Sequence, residues 1–149
     1  FEMLSAGRVV RVLPSVLGED LKRTLFRTGD RTLDNMLEEC RTKFSDRNPL
    51  VRREALERLW DAWERLKSLA DPRDKKQSIK IILDAVAAEP TLRSRLETEA
   101  VELTAIGNSH LIRHSEVNQV AVIDVDHVDY LFHRLFAMIQ LMLRRKGNA

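Results

Sequence analysis

The chain has 149 residues, of which 44% are hydrophobic and 32% are charged. This length suits one domain with its own core, and the composition excludes a wholly disordered chain. Lys and Arg number 25 against 23 Asp and Glu, and a net charge of +2 is too small to indicate a nucleic-acid-binding protein by itself.

The single cysteine and the length of the apolar runs indicate where in the cell the protein is located. Cys40 has no disulfide partner within the chain and lies at an apolar helical position beside Glu38 and Glu39, which predicts a core residue rather than a nucleophile. The longest apolar run, 130–143, is shorter than the roughly 18 residues of a membrane span. We therefore expect a cytoplasmic protein without a membrane anchor. The start at Phe1, with no initiator methionine or secretory pattern, predicts the C-terminal part of a larger protein.

The first half of the chain predicts three helices after an irregular lead-in. Residues 1–18 lack helical periodicity and predict an extended stretch or a short strand, before a short helix that begins at Glu19 and ends near Thr28. Apolar residues at spacings of three and four then predict a helix with one face on a core, namely Leu33, Met36, Leu37, Cys40 and Phe44. Asn48-Pro49 is typical of a helix start. The helix that follows has an apolar face with Trp60 and Trp63 and an outer face of alternating charge that includes Arg52.

The second half predicts three more helical segments. Asp71-Pro72 and Pro90 delimit one stripe over 79–86, and a second stripe, from Leu92 to Ile106, runs to a stop at Gly107-Asn108. The only long irregular segment follows, up to Asp126. A final helix from Asp124 or Asp126 to about Lys146 is apolar nearly all round, which is typical of a helix central in its own bundle or half-exposed at a dimer interface. The sequence thus predicts an all-α fold, a single bundle of about five or six helices with one long loop between the last two.

Candidate chemistry concentrates in that irregular segment, with its titratable and hydrogen-bonding residues Asn108, His110, Arg113, His114 and Glu116. An arginine can bind phosphate in a bidentate manner and a neighbouring histidine can transfer a proton near neutral pH. The same residues also suit a structural role, in which Arg113 pairs with Glu116 and His114 donates to a carbonyl oxygen.

Metal and nucleotide sites are disfavoured. His110 and His114 would share a helix face, with Glu116, Asp126 or His127 as further ligands, but the glycine and asparagine just before them argue against a regular helix there. HExxH, CxxC, GxGxxG, GxxxxGK[ST] and GxSxG motifs are absent from the sequence. We expect no metal and no cofactor.

A polar Ile-Arg-His-Ser-Glu turn after a late helix, followed by Asp-Tyr-Leu-Phe at 129–132 opening an apolar final helix, resembles the HEPN domains attached to abortive-infection proteins. The resemblance spans roughly residues 48–145 and implies a metal-independent ribonuclease of a toxin or antiphage system, with paired subunits bringing their arginine and histidine side chains into one cleft. Other members of that family are inactive and serve in assembly.

The family's catalytic pattern is an arginine, a polar residue directly after it, and a histidine a few residues further on. Arg113 matches the arginine and His114 the polar follower, whereas the second histidine would fall at 118–120, where Asn118, Gln119 and Val120 stand. An amide cannot replace imidazole as a general acid or base. If the chain cleaves RNA, Arg113 would stabilise the developing phosphorane charge and His114 would transfer the proton, while Asn108, His110 and Glu116 would bind the substrate.

The sequence leaves two functions open. The first is a HEPN-like module of a prokaryotic defence or toxin system that binds or cleaves RNA, or is a degenerate member, and forms a homodimer through its final helix. The second is a non-catalytic domain for protein-protein interaction or dimerisation, joined to an upstream domain or partner protein. A DNA-binding helix-turn-helix is disfavoured because no compact helix pair carries a basic recognition face.

Overall fold

The structure is a computed structural model that describes residues 2–3, 9–10, 26–110 and 121–144. Glu2–Met3 (β1) and Val9–Val10 (β2) pair antiparallel, with Glu2 opposite Val10 and Met3 opposite Val9. The remaining described elements are five helices: Arg31–Phe44 (α1), Pro49–Lys67 (α2), Lys75–Val86 (α3), Pro90–Ser109 (α4) and Val125–Leu143 (α5). The predicted all-α bundle is confirmed. The predicted short helix from Glu19 lies largely outside the described residues.

Each described helix begins at a side chain that caps it. The capping residues, whose carboxylate or amide oxygens accept from N–H groups of the first turn, are Asp30, Asn48, Asp74, Glu89 and Asp124. Pro at the first turn of α2 and of α4 removes an N–H that would have no helical acceptor. Helix starts are therefore encoded locally. The predicted start after Asn48 is confirmed, and of the two starts predicted for the last helix, Asp124 and Asp126, the structure shows the first.

Helices α1 and α2 form an antiparallel hairpin that shares an apolar face and is flanked by ion pairs. The pairs lie at three levels along the hairpin, and they are Asp30–Arg65, Glu39–Arg58 and Lys43–Glu54. Glu39, Lys43 and Arg58 are each between one-third and two-fifths exposed, so these pairs fix orientation more than they add stability.

Helix α5 packs against α2 and α3, and its Phe132 reaches Phe44 of α1. Eight of its side chains are buried: Val128, Leu131, Phe132, Leu135, Phe136, Met138, Ile139 and Met142. The rings of Phe44 and Phe132 stack with their centroids 3.7 Å apart, and Trp60 and Trp63 of α2 are fully buried. The apolar character of the last helix is thus explained inside the chain.

Two side chains differ from the prediction in whether they are buried or exposed. Arg52, predicted on the outer face of α2, is buried at 7% exposure because its Nη1 donates to the carbonyl oxygens of Asp46 and Arg47. Leu92, predicted in the core, is 53% exposed; α4 buries only Ala100, Leu103 and Gly107, all in its second half.

Candidate functional site

The C-terminal end of α4, from which the candidate segment continues, is held against α2 by one tryptophan. The Nε1 of Trp60 donates to the carbonyl oxygen of Leu103 at 3.0 Å. One turn later, Gly107 faces the same indole so closely that a Cβ there would lie 2.1 Å from both Cδ1 and Nε1. Only glycine permits this approach. The end of α4 is therefore fixed in position by a fully buried side chain.

Two of the five predicted site residues fall within the described structure. Asn108 is exposed in the last turn of α4, which ends at Ser109, one residue past the predicted stop at Gly107-Asn108. His110 caps the helix, is half-buried, and donates its backbone N–H to the carbonyl oxygen of Ile106 at 3.1 Å. These two residues thus stand at the edge of an anchored helix end.

The other three predicted site residues, Arg113, His114 and Glu116, lie outside the described residues. Description resumes at residue 121, and α5 begins after Asp124, whose Oδ1 accepts from the N–H groups of Asp126 at 2.8 Å and His127 at 3.2 Å. Asp126 and His127 are exposed. Within the described ranges, no group of three His, Cys, Asp or Glu side chains is arranged to hold a metal ion.

An ion pair joins the two helices that flank the candidate segment. Arg134 of α5 donates from Nε and Nη2 to the two carboxylate oxygens of Glu99 of α4, at 2.6 and 2.9 Å. These hydrogen bonds lower the pKa of the Glu99 carboxyl, so the pair persists as an ion pair at neutral pH. Arg134 therefore connects α4 with α5, and its neighbour His133 packs edge-on against Phe44 at 5.8 Å between centroids. Both side chains thus have contacts that stabilise the bundle.

A buried polar cluster between α2 and α4 was missed by the sequence analysis. Lys67, only 3% exposed, donates to Thr104 Oγ1 at 2.7 Å and forms an ion pair with Glu64 at 2.5 Å. Thr104 Oγ1 also accepts from Trp63 Nε1 at 3.2 Å and donates to the carbonyl oxygen of Ala100 at 3.0 Å. The hydroxyl thus makes three hydrogen bonds, its full capacity. The Thr104 hydroxyl therefore holds α4 on α2 and has no position left for a ligand.

A small cavity, also unpredicted, opens beside the start of α2 and the start of α5. It encloses about 140 Å³, with Leu50, Arg52 and Val125 among its lining residues. No sequence signal predicts it, because its walls come from residues more than seventy positions apart.

Comparison of the chain with models of known protein families, with curated proteins and with solved structures finds no match. The resemblance over residues 48–145 is therefore still a prediction that rests on the quoted motif. Across the described helices, none combines the length and the apolar character needed to cross a membrane.

Proposed function

We propose that the chain is a HEPN-like helical module that binds RNA through the segment from Asn108 to Glu116. The observation that supports this proposal is the anchoring of α4 by Trp60, which donates to Leu103 and packs on Gly107 immediately before the segment. Binding and catalytic residues are disproportionately found in connections that a rigid scaffold positions. Here the scaffold is the buried contact between α2 and α4.

The chemistry that this module would perform needs no metal. Arg113 would bind the phosphate and stabilise the charge that develops on it, and His114 would move the proton between the ribose hydroxyl and the leaving oxygen. Asn108, which is exposed, and His110 lie just before these residues and would contact the RNA backbone. With asparagine and glutamine at 118 and 119, only one histidine remains for proton transfer, so we expect slow cleavage or binding alone.

The second part of this proposal is a homodimer through α5, in which only the outer side of the helix is available for the contact. The core-facing side of α5 is covered within the chain, so a second copy would contact the outer side, where Tyr130 is 60% exposed and Ala137 is exposed. Dimerisation there would bring the two candidate segments onto one assembly, as the family resemblance implies.

The test is incubation of the protein with a mixed RNA pool in EDTA, followed by gel analysis of cleavage and by filter binding. Arg113→Ala and His114→Ala are compared with Arg95→Ala, an exposed arginine of α4 that controls for loss of charge. We expect Arg113→Ala alone among the arginine variants to lose RNA binding with an unchanged melting temperature. Equal loss in Arg95→Ala, or a large drop in melting temperature without an effect on RNA, would contradict the proposal. Light scattering of Tyr130→Glu beside the wild type tests the dimer.

A second candidate function, a protein-interaction domain, is favoured by a different observation. Leu50 and Ile123, at 73% and 83% exposure, border the small cavity beside α2 and α5. Apolar side chains clustered at the surface are typical of interaction sites.

A further inference from the structure

The cavity between the start of α2 and the start of α5, hereafter the α2–α5 pocket, has an apolar rim. Among the described residues, seven large hydrophobic side chains are exposed, and three of them line this pocket: Leu50 at 73%, Ile123 at 83% and Val125 at 39% exposure. They come from two helix starts that are distant in sequence. Bringing them together at the surface costs hydration free energy that a bound partner would recover.

The pocket also contains a buried guanidinium that no described carboxylate neutralises. Arg52 lines it at 7% exposure, and Nη1 donates only to carbonyl oxygens, those of Asp46 and Arg47 at 3.2 and 2.8 Å. The buried Nε has no hydrogen-bond partner in the described part of the chain, and Arg52 forms no ion pair with any described residue. A charge buried to this extent is normally paired.

The position of Arg52 within α2 adds to this imbalance. The N-terminal end of a helix carries a partial positive charge and favours acidic side chains, yet the first turn of α2 contains none, and Arg53 follows Arg52 directly. Arg53 pairs with Glu57 at 2.9 Å, whereas Arg52 pairs with no described carboxylate. A partner carboxylate would neutralise both the guanidinium and the helix end.

The volume of the pocket limits the size of the apolar side chain that a partner could insert. A cavity of about 140 Å³ is close to the roughly 150 Å³ cavity that holds one benzene ring. One phenylalanine or leucine side chain therefore fills it, whereas a nucleobase with its ribose and phosphate exceeds it. Charge and volume together describe an aromatic or large aliphatic residue with a carboxylate close by.

We propose that the α2–α5 pocket binds a peptide segment of a partner protein in which a phenylalanine or leucine is flanked by acidic residues. The side chain enters between Leu50 and Val125, and a neighbouring carboxylate accepts from the guanidinium of Arg52. This inference gives the partner class for the protein-interaction function and is independent of the RNA proposal, because the residues involved are different.

The experiment titrates the ¹⁵N-labelled full chain with a short acidic peptide that carries one central phenylalanine, and follows amide shifts. We expect saturable shifts at residues 50–53 and 123–128, and no such shifts with the same peptide carrying serine in place of phenylalanine or lysine in place of its acidic residues. Leu50→Glu, at an exposed position that a folded chain tolerates, should weaken binding at least about tenfold. Leu92→Glu, in the similarly exposed first turn of α4, is the matched control and should bind as the wild type does.

Three results would overturn the proposal. One is the absence of saturable shifts at the pocket, and another is equal binding by Leu50→Glu and the wild type. The third is concentration-dependent self-association in light scattering that Leu50→Glu abolishes, since the occupant would then be a second copy of the chain. RNA binding by the Leu50→Glu variant, measured in parallel, shows separately whether the RNA proposal holds.

Discussion

Gly107 and Trp60 are so close that the hydrogen of the glycine takes the place of a side chain, with a Cβ there falling 2.1 Å from the indole ring. Gly107→Ala should therefore lower the free energy of unfolding by about 1–3 kcal/mol through overpacking. The roughly 1 kcal/mol that alanine gains over glycine in a helix only partly offsets this loss.

Chemical denaturation measures the change, with the exposed Ser109→Ala as a control expected to stay within about 0.5 kcal/mol. In a Trp60→Leu background the cost of Gly107→Ala should shrink, because the aromatic ring that clashes with the added Cβ is missing. A Gly107→Ala variant as stable as the wild type would show that α4 is not held at this contact.

The carboxylate of Asp30 both caps α1 and forms an ion pair with Arg65, and the ion pair depends on pH. It caps α1 by accepting from Leu33 N–H at 2.8 Å and pairs with Arg65 through two bonds of 2.8 Å. The Arg65 guanidinium, followed by the capping bond, holds the pKa of Asp30 below its ordinary value of 3.8. A group with a lowered pKa stabilises the folded chain at neutral pH and loses that contribution as the pH falls through and below 3.8.

Asp30→Asn preserves a good cap while removing the charge. We expect the stability difference between wild type and Asp30→Asn to be present at pH 7 and to vanish on acidification below pH 3.8, as measured by urea unfolding across pH. Asp30→Ala should cost about 1 kcal/mol more than Asp30→Asn at all pH values. A pH-independent difference between wild type and Asp30→Asn would refute the assignment.

Lys67 is the least exposed charged residue of the described core. Lys67→Met keeps the length of the side chain but removes the ammonium group that pairs with Glu64, a residue only 9% exposed, to which Lys75 lies at 3.6 Å. Breaking a buried pair in this way costs about 3–5 kcal/mol. The double variant Glu64→Gln/Lys67→Met should recover part of the loss, and the exposed Lys76→Met should cost little. Thermal unfolding of these variants distinguishes a buried pair from a surface one, for which all changes would be small.

Cys40 reports on opening of the bundle. It is 1% exposed, and burial raises the pKa of its thiol well above the ordinary value of 9.0, so the thiolate needed for alkylation is scarce in the folded chain. Iodoacetamide should react slowly at neutral pH and at the rate of a free thiol in strong urea, as followed by mass spectrometry. Because the chain has no other cysteine, the Cys40→Ser variant is a negative control that should not be alkylated at all. Rapid alkylation of the folded protein would contradict the buried position.

Much of the bundle was predictable because its signals are local. Asn48-Pro49 and Asp124 specify helix starts from adjacent atoms alone, and the apolar periodicity of α1, α2 and α5 follows from residues within a few turns. The burial of Arg52 and of Leu92 was predicted wrongly because it depends on which residues lie opposite them in space. The periodicity of the sequence carries no information about those neighbours. The pairing of Lys67 with Thr104 spans 37 residues and has no local signature.

For the candidate site, the residue types are readable from the sequence, and the structure shows the helix end that precedes them. Asn108 and His110 follow a helix anchored by Trp60, a contact that no spacing rule predicts. The roles of Arg113, His114 and Glu116 remain predictions from their chemistry and from the family resemblance. The α2–α5 pocket depends wholly on tertiary structure, since Leu50 and Ile123 are 73 positions apart.

The three ion pairs along the α1–α2 hairpin also limit how this sequence can change in length. One residue inserted into α2 between Glu54 and Arg58 would rotate everything after it by about 100°, moving Arg58 away from Glu39 and Arg65 away from Asp30 while turning Trp60 out of the core. Insertions should therefore be accepted more readily in the connection at 68–73 than at 45–48, where Asp46 and Arg47 accept from Arg52 and Asn48 caps α2. Inside the hairpin, an insertion would have to add two full turns to α1 and to α2 at the same level.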